Sequence, residues 1–241
     1  DATQGWVPTF DTVVADVPVI GNSEGIIGYG EAPSYTATTN LVSNVGVVAS
    51  DVSGVGTGRG KVAACEYGGD KGIFGFGYDT NTLPSPYVTG ITNLVSNTGV
   101  CSADVTGVGT ARYGLSACSY GGDKGIFGFG NNGTGSRVGM TNLVSNAGVV
   151  ATDVSAVGTA RDQLAACEYG TDTAIFGYGT TGSASSLKNL VSNVGVVASD
   201  VAGVGTARYG IAACSYGEDK GIFAYGYVSG QVNMSNLVSN T

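Results

Sequence analysis

The sequence predicts an all-β protein, and specifically a five-bladed β-propeller of four-stranded antiparallel blades. Three observations lead there. The first is composition: Gly is 42 of 241 residues, roughly two and a half times ordinary usage, and Val, Thr, Ile and Tyr are plentiful. That mixture favours strands joined by tight turns over long helices. The second is repetition: "GGDKGIFGFG" stands at Gly68 to Gly77 and again at Gly121 to Gly130. Looser copies begin at Gly21, Gly170 and Gly217. The third is period: "NLVSN" begins at Asn40, Asn93, Asn142, Asn189 and Asn236, with spacings of 53, 49, 47 and 47 residues. A period in the high forties suits one propeller blade.

Each repeat supplies four strand candidates. In the third unit they are Gly114 to Tyr120, Gly125 to Gly130, Met140 to Ser145 and Gly148 to Val154. A Gly-Gly-Asp turn separates the first two, and Asn-x-Gly separates the last two. Within the decapeptide, Ile73 and Phe74 are neighbours that must point to opposite faces, so both faces of a blade are expected to be buried. From "NLVSN" to the next decapeptide there are always 23 residues, but from the decapeptide to the next "NLVSN" there are 9, 15, 11, 9 and 9. All length variation therefore lies between strands two and three, on one face of the molecule, and such a face is where binding is expected.

The last unit ends at "NLVSNT" with no fourth strand, whereas Gly5 to Asp11 reads like the fourth-strand segment Gly46 to Val52. The N-terminal strand is accordingly expected to complete the last blade and close the ring. The domain organisation is then a single propeller over 1–241, with blades at about 11–58, 59–111, 112–160, 161–207 and 208–241 plus 1–10. The chain has no starting Met and no signal-peptide pattern, which predicts a processed product or an excised domain.

The formal net charge of −8 repels phosphate backbones, so nucleic acid is not an expected partner. No apolar run is long enough to span a bilayer as a helix. There is no His, which removes the usual Ser-His-Asp and Cys-His catalysis and His-ligated metals. Cys65, Cys118, Cys167 and Cys214 share one repeat position, and Cys101 stands where other units have Val. Thiols that interchange with Val are expected to be small apolar packing residues. Asp51, Asp104, Asp153 and Asp200 recur at one position and are expected to accept turn hydrogen bonds or to pair with Arg59, Arg112, Arg161 and Arg208. Asp70-Lys71, Asp123-Lys124 and Asp219-Lys220 read as local charge pairs in turns. No acidic residue breaks the pattern as a catalytic one would, so no catalytic residue, cofactor or metal is assigned.

What remains is the variable loop Tyr78 to Gly90, rich in Tyr, Pro, Asn and Thr. Tyr gives large contact area at low entropy cost. The candidate ligand-binding residues are Tyr78, Asp79, Asn81 and Tyr87, with Asn131, Asn132 and Tyr227 at the same level in other units.

The order "AR-YGLSACSY-GGDKGIFGFG" followed by a variable loop and two strands resembles kelch repeats, which form β-propellers. The longer string "TNLVSNTGV…GVGTARYGLSACSYGGDKGIFGFG" looks like repeats in structural proteins of marine tailed phages, especially those of cyanobacteria, and in marine metagenomic sequences. This resemblance covers nearly the whole chain from about Gly21. It implies a virion or extracellular setting, and a non-enzymatic structural or adhesive module that binds host-surface glycans or other virion proteins. A multivalent carbohydrate-binding lectin is the alternative, and a glycosidase a third.

Overall fold

The computed structural model describes residues 23–31 and 33–239. Its strands are β1 (Gly25–Glu31), β2 (Tyr35–Val42), β3 (Ala63–Tyr67), β4 (Lys71–Gly75), β5 (Thr92–Val95), β6 (Ser116–Tyr120), β7 (Lys124–Gly128), β8 (Thr141–Val144), β9 (Ala165–Tyr169), β10 (Thr173–Gly177), β11 (Lys188–Val191), β12 (Ala212–Tyr216), β13 (Lys220–Ala224) and β14 (Ser235–Val238). They form five antiparallel sheets, one per repeat: β1-β2, β3-β4-β5, β6-β7-β8, β9-β10-β11 and β12-β13-β14. The repeat reading therefore holds, and we number these sheets as units one to five.

Two expectations about the blades are corrected. The sheets are three-stranded because the predicted fourth strand does not form a regular ladder; two strands of unit one are described, and the segment before them lies outside the described residues. In unit three the segment after β8 touches it only at Val144–Val150 and Thr141–Val154. Between these bridges the outer segment carries one residue more than β8, which is a β-bulge. The side chain of Asn142 fills the gap, donating to Ala151 O at 3.0 Å and to Asp153 Oδ1 at 2.9 Å. Asn93 and Asn189 do the same to Ser102 and Ala198. The second correction concerns closure. The described sheets stand in an open row and do not close a ring: large apolar side chains at both ends are exposed, Ile27 at 57 % and Leu237 at 69 %. The segment expected to close the ring, Gly5 to Asp11, lies outside the described residues.

Inside the row, sheets pack face to face, and each joint is built from the same parts. The front face of unit two offers Cys65, Ile73, Phe76 and Leu94. The rear face of unit three meets it with Leu115, Ala117, Phe127 and Val144. The decapeptide now has its physical reason. Its Ile points forward and its Phe backward, and Ile126, Phe127 and Phe176 are all fully buried. The Gly after Phe is the floor for the next unit's Phe ring. A methyl built on Gly128 would stand 2.7 Å from Phe176, and one on Gly75 would stand 2.7 Å from Phe127.

A buried guanidinium ties each joint together. Arg112 is fully buried and donates to Phe129 O at 2.8 Å, Thr110 O at 2.9 Å and Asn142 Oδ1 at 2.6 Å. Its plane also lies 4.2 Å over the Phe76 ring of the preceding unit. Arg59 over Tyr29, Arg161 over Phe129 and Arg208 over Tyr178 repeat the arrangement. The aromatic residues involved sit in the left-handed region, with φ of 62° at Phe76 and 65° at Phe129 and Tyr178. A bulky side chain resists that conformation, and the arginine bond to its carbonyl helps to hold it there.

Asp153 completes the network, accepting from Thr110 N at 2.9 Å and Thr110 Oγ1 at 2.7 Å. Asp153 Oδ1 lies 3.8 Å from Arg112 Nη1. Burial pushes the Asp153 carboxyl upward, but the bonds from Thr110 and Asn142 together outweigh it and hold its pKa below the ordinary carboxylate value. Asp104 and Asp200 behave alike.

Two outcomes are expected. Arg112→Ala strands three acceptors at one joint and should lower stability by about 3–5 kcal/mol in urea unfolding. Arg112→Lys should recover less than half of that, since an ammonium lacks the planar fork. A carboxylate whose folded pKa is depressed contributes stability that is fully present above its unfolded pKa and lost as pH falls through the folded one. The melting temperature should therefore drop as pH falls below about 4, and Asp153→Asn should flatten that drop.

Candidate functional site

On the face that carries the variable loops, each of units two to five adds a small bridge set outside its main sheet. Its central residue pairs with the incoming linker and with the far side of the loop: Tyr78 with Gly60 and Val88, Asn131 with Tyr113 and Arg137, Thr180 with Asp162 and Ala184, and Tyr227 with Tyr209 and Gln231. The scaffold is the same each time, while the side chains differ. This face is where the units part company.

Tyr78 is the hub of the aromatic group on this face. Its ring contacts Tyr35 of unit one, Tyr87 of its own loop and Tyr113 of unit three, with centroids 6.2, 6.1 and 5.1 Å away. The first two contacts are edge-to-face, a favoured arrangement for aromatic quadrupoles. Lys61 Nζ lies 5.2 Å from the Tyr78 centroid and 4.8 Å from that of Tyr113. Tyr87 stands out from this group at 37 % exposure, in the left-handed region at φ 66°. Burial pushes the Tyr113 hydroxyl pKa upward, with Asp162 adding to it, so this phenol stays a hydrogen-bond donor at neutral pH.

The remaining candidates divide between turn chemistry and open surface. Asp79 is buried and accepts from Asn81 N at 2.7 Å, Thr82 N at 3.0 Å and Thr82 Oγ1, which pins the loop that carries Tyr87. Asn131 is buried and accepts from Gly133 N at 3.0 Å. Asn132 accepts from Thr134 and Ser136. The Asn81 side chain is exposed. Tyr227 pairs with Tyr209 in unit five, at 5.4 Å, far along the row from Tyr78. The structure therefore brings Tyr78 and Tyr87 together and adds three residues that the sequence did not single out: Tyr35, Lys61 and Tyr113. Lys61 had one signal, for it stands where two other units have Gly.

The other chemical candidates are placed as follows. Asp70–Lys71 and Asp123–Lys124 are turn pairs at 2.6 Å, and Asp219–Lys220 is a third. Among the described residues no group of three His, Cys, Asp or Glu is placed to hold a metal. A cavity of about 230 Å³ between units one and two is lined by Ile26, Leu41, Cys65 and Phe74. The five cysteines are free thiols. Burial pushes the Cys65 and Cys167 thiols up to about 12 and raises Cys118 as well. Cys214 departs from the expected pattern and is exposed, because no described unit covers the front of unit five.

In dilute solution at neutral pH a thiol reagent should therefore label Cys214 rapidly, and should reach Cys65, Cys118 and Cys167 only on unfolding. Mass spectrometry of the labelled peptides reads this directly.

No protein-family model and no curated protein matches this chain.

Proposed function

We propose that this chain is a non-enzymatic adhesive module, a stiff row of sheets that presents one asymmetric aromatic surface to a ligand. The observation that carries this reading is the cluster of Tyr35, Tyr78, Tyr87 and Tyr113 around Lys61, assembled from three units on the face where loop length varies. Its rings are held by the scaffold, so ordering them on binding costs little entropy. The ligand class that fits is a cell-surface glycan. The C–H face of a sugar ring packs on an exposed tyrosine ring, while phenol hydroxyls and the Lys61 ammonium serve the sugar oxygens. The chain's net charge of −8 disfavours polyphosphate ligands.

A lectin with one equal site per unit is less well supported. The central loop-face residue is Tyr78 in unit two but Asn131, Thr180 and Tyr227 in the others, so equal sites would need unequal residues. The repeated carboxylates Asp104, Asp153 and Asp200 each hold a linker threonine and an asparagine, which leaves them a structural task rather than glycoside hydrolysis. The virion setting, on a particle that meets marine cyanobacteria, rests on the likeness of the repeats to phage structural proteins. In that setting the module would touch host glycans or neighbouring virion proteins.

Binding of labelled protein to a glycan array and to cyanobacterial cells tests the reading. Wild type should bind at least one glycan class. Tyr87→Ala should weaken that binding about tenfold or more without shifting the melting temperature, as the loss of one aromatic anchor predicts. Silence on every glycan and cell type, or binding indifferent to Tyr78 and Tyr87, would overturn it.

A further inference from the structure

The two ends of the row differ from the internal joints in a matched way. At four internal joints a Gly on the front face lies under a Phe of the next unit. A methyl built on that Gly would stand 3.1 Å from Phe74 at Gly28, 2.7 Å from Phe127 at Gly75, 2.7 Å from Phe176 at Gly128 and 2.9 Å from Phe223 at Gly177. Unit five breaks the rule, for its front face carries Ala224 at this position. Unit one breaks it in the opposite sense, for its rear face carries Ile27 where the others have Phe. One face has gained a methyl and the other has lost a ring. A Phe could not sit on Ala224 without displacing it, but a shorter Ile can.

Other features of the two ends also match. Internal joints carry two backbone bonds, from the turn glycine and from the glycine after the aromatic. Gly121 N donates to Asp172 O and Gly130 N donates to Arg161 O; equivalent pairs join units two and three and units four and five, and Gly30 N donates to Arg59 O between units one and two. In unit five these donors are Gly217 and Gly226, on a face where Tyr225 is 63 % exposed and Leu237 69 % exposed. The corresponding residues Tyr178 and Phe129 are 6 % and 0 % exposed inside the row. In unit one, Ser23 holds the place of the turn acceptor Asp123.

We propose that copies of this chain associate head to tail, the front face of unit five in one copy packing on the rear face of unit one in the next. The occupant is a second copy because, among the described residues, Ile27 at one end of the row and Tyr225 and Leu237 at the other are exposed on matching faces. The contact is heterologous, so it propagates along the row rather than stopping at a two-fold dimer. It is also weaker than an internal joint. The first 58 residues contain no Arg or Lys, so unit one brings no guanidinium to cap Tyr225. Association is therefore reversible and concentration-dependent. It would line up the aromatic clusters of successive copies and raise their avidity for a repetitive surface.

Sedimentation velocity over two decades of protein concentration tests this, alongside melting curves. Wild type should gain mass with concentration, and Cys214 labelling should slow in step. Ile27→Phe should weaken association at least about tenfold by driving a ring onto the Ala224 methyl. Adding Ala224→Gly should restore it to within about threefold, since that pair recreates the internal joint. Both residues lie at the ends of the row, and the melting temperature of the monomer serves as the folding control. A chain that stays monomeric at every concentration overturns the proposal. If the monomer's melting temperature instead falls with Ile27→Phe and recovers in the double variant, the two faces meet within one chain and the proposal is equally overturned. Association indifferent to both substitutions would place the contact elsewhere and overturn it too.

Discussion

A guanidinium taken out of water must have its donors met, and Arg59, Arg112, Arg161 and Arg208 impose that demand once in each of units two to five. The linker, the third strand and the bulged outer segment all take the positions that satisfy it. In unit three Thr110 turns its carbonyl inward, Asn142 presents its side-chain oxygen, and the Phe129 carbonyl accepts from Arg112 Nε. Asp153 then holds Thr110 and Asn142 in place from the outer segment. Burial pushes the Arg112 pKa down to about 10, with Asp153 opposing the shift, so the group is still charged at neutral pH. The irregular fourth segment follows from this demand, because the backbone there yields a ladder position to the Asn side chain.

The same arginines couple the units. Each fixes the left-handed aromatic of its own unit and stacks on that of the unit before, so a column of arginines and rings runs through the row. Stability in such a stack is carried by nearest-neighbour joints rather than by one central core. Identity of the joints explains why the decapeptide recurs with so little change. The loops start just beyond this column, two residues after the aromatic that each arginine holds, and differ in length and side chain without disturbing it.

The ends show what that coupling means for a row. A face made to be covered is apolar, and at unit five Tyr225 and Leu237 remain in water. The substitution of Ala224 for Gly and of Ile27 for Phe lies only at these ends, where each would be felt least inside the chain and most between chains.

Much of this architecture was legible in the sequence. The period, the unit boundaries, the turn glycines, the opposite-facing Ile and Phe and the structural duty of the repeated Asp and Arg follow from spacing and from the two-residue rhythm of a strand. The fourth strand and the closed ring were misjudged. A one-residue bulge leaves the apolar pattern of "GVVATDV" intact, and an open row has the same repeats as a closed one. The aromatic cluster was half legible: loop length pointed to Tyr78 and Tyr87. Tyr35 at the start of β2 and Lys61 and Tyr113 in two successive linkers come from three different units, and they meet around Tyr78 only because the units are stacked side by side. Local rules of turn, pattern and repeat thus determined what each unit is. Tertiary packing alone decided which residues of different units meet and which described faces stay exposed, because those depend on the geometry of one joint repeated along the chain.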